Sequence, residues 1–164
     1  MNEIKTIMVA LALGDYSQEI FTYAAGLAER LDAGLIAASI INSRDVEAVG
    51  KIVSLGYDVD GEHYVRGIRE ERAAILERIV RSSTFPAERL RTIFRVGNPA
   101  EELLTLSLEE NVDMIVMGIK GRSDLESFLV GSAAEKMFRR SPVTIVSYRS
   151  EAHRERLRQR IRRL

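Results

Sequence analysis

The sequence predicts an open, doubly wound α/β fold: a five-stranded parallel sheet with helices on both faces. Three observations lead there. Five short apolar runs recur along the chain, and the intervals between them carry apolar residues at helical spacing. Two of the early runs are unbroken rather than alternating, as in strands buried on both faces. Turn residues (glycine, proline and aspartate) sit where the patterns change.

The first run, KTIMVALAL at residues 5–13, is a buried strand, closed by Gly14 and Asp15. Ile20, Tyr23, Ala24, Leu27 and Leu31 then follow helical spacing, with Asp15 or Ser17 as the candidate cap. Asp32, Ala33 and Gly34 end that helix, and LIAASII at residues 35–41 is a second buried strand. A parallel pair joined by a crossover helix is the economical reading. A short helix is expected over residues 45–54. A long amphipathic one is expected over 62–82, with Ile68, Ala73, Leu76, Ile79 and Val80 inward. Phe85 and Pro86 break the chain before a third, partly exposed strand at Leu90–Gly97. Pro99 opens the next helix where proline is tolerated, and Glu101 and Glu102 suit its positive end. Residues 112–117 form the fourth strand, Ser132–Arg140 a helix and residues 142–148 (PVTIVSY) the fifth strand.

The 164 residues are 46% apolar and 29% charged, with no apolar run long enough to span a bilayer. The apolar N-terminal stretch is expected to be a strand rather than a signal peptide, and the protein to be cytoplasmic. Cysteine is absent, which excludes disulfide and thiolate chemistry. The two histidines, His63 and His153, lie far apart, so no metal site is expected. Net charge is zero but unevenly spread: residues 149–164 hold seven arginines against two glutamates. Residues 1–148 therefore read as a mildly acidic α/β domain and residues 149–164 as a basic helical extension.

The glycine-punctuated stretch MGIKGRSDLESFLVGSAAEKMFRR, residues 117–140, is the strongest candidate site. Gly118 stands at the carboxyl end of the fourth strand, where doubly wound sheets bind ligands. Gly131 and Ser132 open a helix whose N-terminus suits an anion, and Lys120 and Arg122 add charge, partly offset by Asp124 and Glu126. The stretch is neither a Walker A loop nor the dinucleotide fingerprint. On the residues alone, a phosphate-binding loop and a plain glycine turn before a capped helix both stand.

The spacing of Gly118, Gly121 and Gly131-Ser132 resembles the nucleotide-binding signature of the universal stress protein family. AAGLAERLDA, FRVGNPAEELL, VDMIVMGIKGRS and LVGSAAEKMFRRSPVTIV carry the resemblance in order across residues 5–148. It implies strand order 3-2-1-4-5, a homodimer, and ATP or another adenine nucleotide as ligand, with or without Mg. On that footing Gly118, Gly121, Arg122, Gly131, Ser132 and Ala133 would hold ribose and phosphates. Leu11, Ala12, Ile40 and Met117 would line the adenine pocket. Val143, Ile145 and Ser147 would mark the strand that pairs across the dimer axis. An edge strand this apolar needs cover, which a dimer or a helix of the same chain could supply.

One position departs from the family's pattern. The aspartate expected at the end of the first strand falls on Ala12. A hydrogen bond to a charged group is worth roughly 1.5–3 kcal/mol, or about tenfold to 150-fold in affinity. Asp15, three residues on, either caps the first helix or substitutes. A binding or sensing module acting on a protein partner is expected rather than a strong enzyme, because no carboxylate or histidine cluster converges on the glycines. An empty-site interaction protein and a slow ATPase are the alternatives. Asp113 falls at the opposite end of the sheet, and Glu135 on a solvated helix surface. In the extension, His153, Leu157, Ile161 and Leu164 share one helical face. That face could dock on the body or exchange with a partner subunit. Nucleic acid and membrane are not expected partners, because aromatic residues are missing among the arginines.

Overall fold

The computed structural model describes residues 3–54, 61–119 and 131–164. Five strands form one parallel sheet in the order β3-β2-β1-β4-β5. They are β1 (Thr6–Ala10), β2 (Gly34–Asn42), β3 (Leu90–Gly97), β4 (Met114–Gly118) and β5 (Thr144–Tyr148). Among the described residues six α-helices accompany them: α1 (Ser17–Arg30), α2 (Ser43–Ser54), α3 (Gly61–Arg81), α4 (Pro99–Glu109), α5 (Ser132–Arg140) and α6 (Glu151–Ile161). The unbroken apolar runs are the central strands. Ile7, Met8 and Val9 have no exposed surface, because α1 and α3 cover one face and α4 and α5 the other. Phe21, Ala24 and Leu76 pack on the first face; Leu103, Leu106 and Met137 pack on the second.

Helices α1 and α4, which lead into β2 and β4, end by the same chemistry. Asp32 (φ 52°) and Asn111 (φ 50°) are left-handed. The following N–H groups reach back, Ala33 to the Ala28 carbonyl and Val112 to the Ser107 carbonyl, both at 2.9 Å. This is the Schellman arrangement, built on the two residue types that tolerate it best after glycine, with a buried apolar residue next in line. Arg89 locks the first of these turns, donating to the Ala33 carbonyl at 2.6 Å and pairing with Asp32 at 3.2 Å. At the amino edge of the sheet, the Asp113 carboxylate accepts the backbone N–H groups of Lys5 (2.8 Å) and Thr6 (2.9 Å). Asp113 therefore aligns β1 with β4 and lies far from the carboxyl edge.

Helix α3 departs from its expected inward face. Ala73 is exposed, and Arg72 is buried in its place. Positions 68, 72, 76 and 79 keep the helical period, and Ala73 lies about a quarter turn off it. Arg72 donates from Nη1 to the Ile40 carbonyl (2.8 Å) and to Ser39 Oγ (3.0 Å) at the end of β2.

Candidate functional site

The carboxyl ends of β1, β2 and β4 open into a cleft of about 640 Å³, within the range of small-molecule pockets. It straddles β1 and β4, where the strand order reverses. One end is apolar: Leu11 and Ala12 just after β1, Ala38 and Ile40 of β2, and Met117 of β4. The other end is main chain and small side chains: Gly118, Gly131, Ser132, Ala133 and Ala134. Its charged lining residues include the cations Arg44, Arg72 and Lys136 and the carboxylates Asp15 and Asp45.

The turn after β1 enters the cleft at a cost. Leu13 is left-handed, φ 57°, which disfavours a side-chain-bearing residue by about 1–2 kcal/mol. Its side chain is buried in the core beneath α1, which returns about 1.5–3 kcal/mol and holds the turn. Gly14, Asp15, Tyr16 and Ser17 then run along the cleft wall. Tyr16 is the residue that precedes α1, and no side chain caps that helix. The expected cap at Asp15 or Ser17 is therefore not made. Ser17 is already inside the helix and buried, and Asp15 is among the residues that line the cleft.

Helix α5 starts at Ser132 with no side-chain cap, unlike α4, capped by Asn98, and α6, capped by Ser150. Its first intrahelical bond runs from the Glu135 N–H to the Gly131 carbonyl at 2.9 Å. The N–H groups of residues 132–134 therefore have no intrahelical partner, and all three residues line the cleft. Gly131 has φ −57° and ψ 145°, a conformation any residue adopts. Gly118 is the last residue of a regular strand. The stretch between these two glycines, where a glycine turn would fall, lies outside the described residues.

Residues 3–149 match the universal stress protein family. The chain belongs to that family. It is 26% identical over 147 residues to the universal stress protein MJ0531 of Methanocaldococcus jannaschii, covering 88% of this chain and 83% of the relative. Among solved structures it is similar to the hypothetical protein MJ0577 of the same organism, with a TM-score of 0.71 and 19% identity over 92% of this chain and 99% of that one. A universal stress protein solved in complex with cAMP shares the fold, with a TM-score of 0.58 and 21% identity over 90% of this chain and 98% of that one.

In this universal stress protein the cleft brings together Leu11, Ala12, Ile40, Met117, Gly118, Gly131, Ser132 and Ala133. Gly121 and Arg122 lie outside the described residues. Asp15 lies on the cleft wall near Ala12, so the cleft does hold a carboxylate on the β1–α1 turn. Charged residues missed at the sequence level include Arg44, Asp45, Lys136 and the buried Arg72. An arginine in phase with Ile68, Leu76 and Ile79 was the available signal. Glu135 is exposed and pairs with Arg139 at 3.5 Å. Among the described residues no group of acidic or histidine side chains is arranged to hold a metal, and no helix is long and apolar enough to cross a membrane.

The fifth strand and the extension flank this site. Val143 precedes β5, and it packs with Ile145 against the α4 and α5 side of the sheet. Ser147 Oγ is buried without a hydrogen-bond partner among the described residues. Tyr148 stacks at a tilt on Tyr23 (5.3 Å between centroids) and donates to Glu19 at 3.1 Å. Burial and then the Glu19 carboxylate hold its phenol above the ordinary value. In α6, Leu157 is half-buried, while Ile161 (65% exposed) and Leu164 are open. Docking of the whole apolar face on the same chain is thus not what the fold makes.

Proposed function

We propose that this protein is an adenine-nucleotide-binding stress-response module that acts as a dimer. The observation that carries the reading is the start of α5. Three main-chain N–H groups, without an intrahelical partner, belong to residues that line a cleft with apolar walls elsewhere. A helix start of this kind favours phosphate through its dipole and its unpaired donors. The apolar walls at Ala12, Ile40 and Met117 suit a planar base. Gly118 lets ribose lie against the strand end. ATP, ADP and AMP share this chemistry, with Mg as counter-ion where the phosphate chain is long. Family membership supports the same reading.

The open edge of β5, with its half-buried Ile145, Val146 and Ser147, supports pairing with a second copy. The chain mass is 18.4 kDa, so sedimentation of the pure protein at twice that mass is expected. The nucleotide reading is tested by calorimetric titration with ATP, ADP and AMP, with and without magnesium. Saturable binding is expected. Silence at millimolar ligand would favour a second reading, an interaction protein with an empty site, which Ala12 supports by leaving the end of β1 without a carboxylate. Phosphate release above the buffer blank would instead assign slow hydrolysis.

A further inference from the structure

The cleft has a neighbour. A hollow of about 40 Å³ lies on its β5 side, and Tyr16, Ile20, Gly118 and Ile119 line both. The outer wall of the hollow comes from the basic extension, with Arg149 and Arg156 its exposed cations. Strand register explains the juxtaposition. Gly118 lies opposite Tyr148 in the parallel pair of β4 and β5. Ile119 and Arg149 therefore leave adjacent strands at the same level of the sheet edge, about 4.8 Å apart at the last pair. Ser150, buried, then accepts the His153 N–H at 3.4 Å and fixes the start of α6 there. One turn later Arg156 faces the same hollow.

The charges differ between the two spaces. Within the cleft, three cationic side chains are offset by two carboxylates. Among the described residues no acidic side chain lines the hollow. Gly118 and Ile119 border both spaces, so a phosphate chain that starts at the α5 amides and passes Gly118 would enter the hollow. We infer that the extension is part of the ligand site: Arg149 and Arg156 hold the terminal phosphates, so the protein selects nucleoside triphosphates over monophosphates. This rests on the nucleotide reading above and adds to it the residues that measure phosphate number. It also gives the extension a way to respond to occupancy, since Arg149 leads into α6 and Arg156 lies within it.

The test is titration of the full chain and two double variants with ATP and AMP. R149Q/R156Q should bind ATP roughly tenfold more weakly, with AMP changed by no more than about twofold. R162Q/R163Q removes the same charge from the far end of the extension and should leave ATP affinity as in the wild type. Unaltered ATP affinity in R149Q/R156Q overturns the inference while leaving nucleotide binding intact. So does an equal loss for ATP and AMP, or an equal loss in R162Q/R163Q. Wild-type protein that binds neither nucleotide removes the underlying reading and the inference with it.

Discussion

Gly131→Asp should move stability and ligand affinity in opposite directions. The backbone there (φ −57°, ψ 145°) admits any residue, so the substitution strains nothing in the main chain. An aspartate before Ser132 would accept from the N–H groups of residues 133 and 134. Glycine is already a fair residue at that position, and the capping gain over it is a few tenths of a kcal/mol. A carboxylate at the positive end of a helix adds about 0.3–1 kcal/mol. The sum, about 1 kcal/mol, corresponds to a rise of about 2–4 °C in Tm for a chain of this size. The same carboxylate occupies the amides a phosphate would use and repels it. Losing even one charge-assisted hydrogen bond costs roughly 1.5–3 kcal/mol, or more than tenfold in affinity. Thermal unfolding without ligand and calorimetry with ATP measure the two effects separately. Gly131→Ala, which adds a methyl and no charge, is the control and should change affinity far less. An aspartate variant that is more stable and still binds ATP as the wild type does would refute the assignment of the α5 amides to phosphate.

Three further outcomes follow from the fold. Asp113→Ala removes the carboxylate that accepts two backbone N–H groups and should cost about 2 kcal/mol, seen as a fall of about 4–8 °C in Tm. Asp113→Asn, which keeps an acceptor, should lose less. Asn111→Ala places a methyl-bearing residue at φ 50° and should cost about 1 kcal/mol in urea unfolding. Asn111→Gly should cost nothing measurable. Tyr148 has its pKa raised in the folded chain, first by burial and then by Glu19. Its contribution is therefore complete below the unfolded value near 10 and is lost as pH rises through the folded value. Stability measured from pH 9 to 12 should fall less steeply in Tyr148→Phe than in the wild type.

Much of this architecture was readable because it is local. Strand β3 and helix α5 fall at the residues predicted, since period two and period 3.6 are properties of neighbouring residues. The ends of β1 moved inward to Thr6–Ala10. Apolar character at Leu11 and Leu13 reports burial, and both are buried, but in a turn rather than a strand. Arg72 escaped detection for a related reason. Helical phase marked its position as inward, yet residue type argued for solvent, and the acceptors at Ser39 and Ile40 help make its burial tolerable. The caps at Asp15 and Ser17 failed because the start of α1 is set by the left-handed Leu13, whose conformation no sequence pattern announces.

The sequence by itself determined the succession of strands and helices, the family, and the bare glycines at the carboxyl edge, because each depends on residue type and on spacing along the chain. Tertiary structure alone decided which distant residues share the cleft. Asp15, Arg44, Arg72 and Lys136 come from four separate segments, and strand order and register bring them together. The same register sets the basic extension beside Gly118. Such neighbours are fixed by hydrogen bonding between strands far apart in the chain, and that long-range pairing leaves no local mark on the residues it joins.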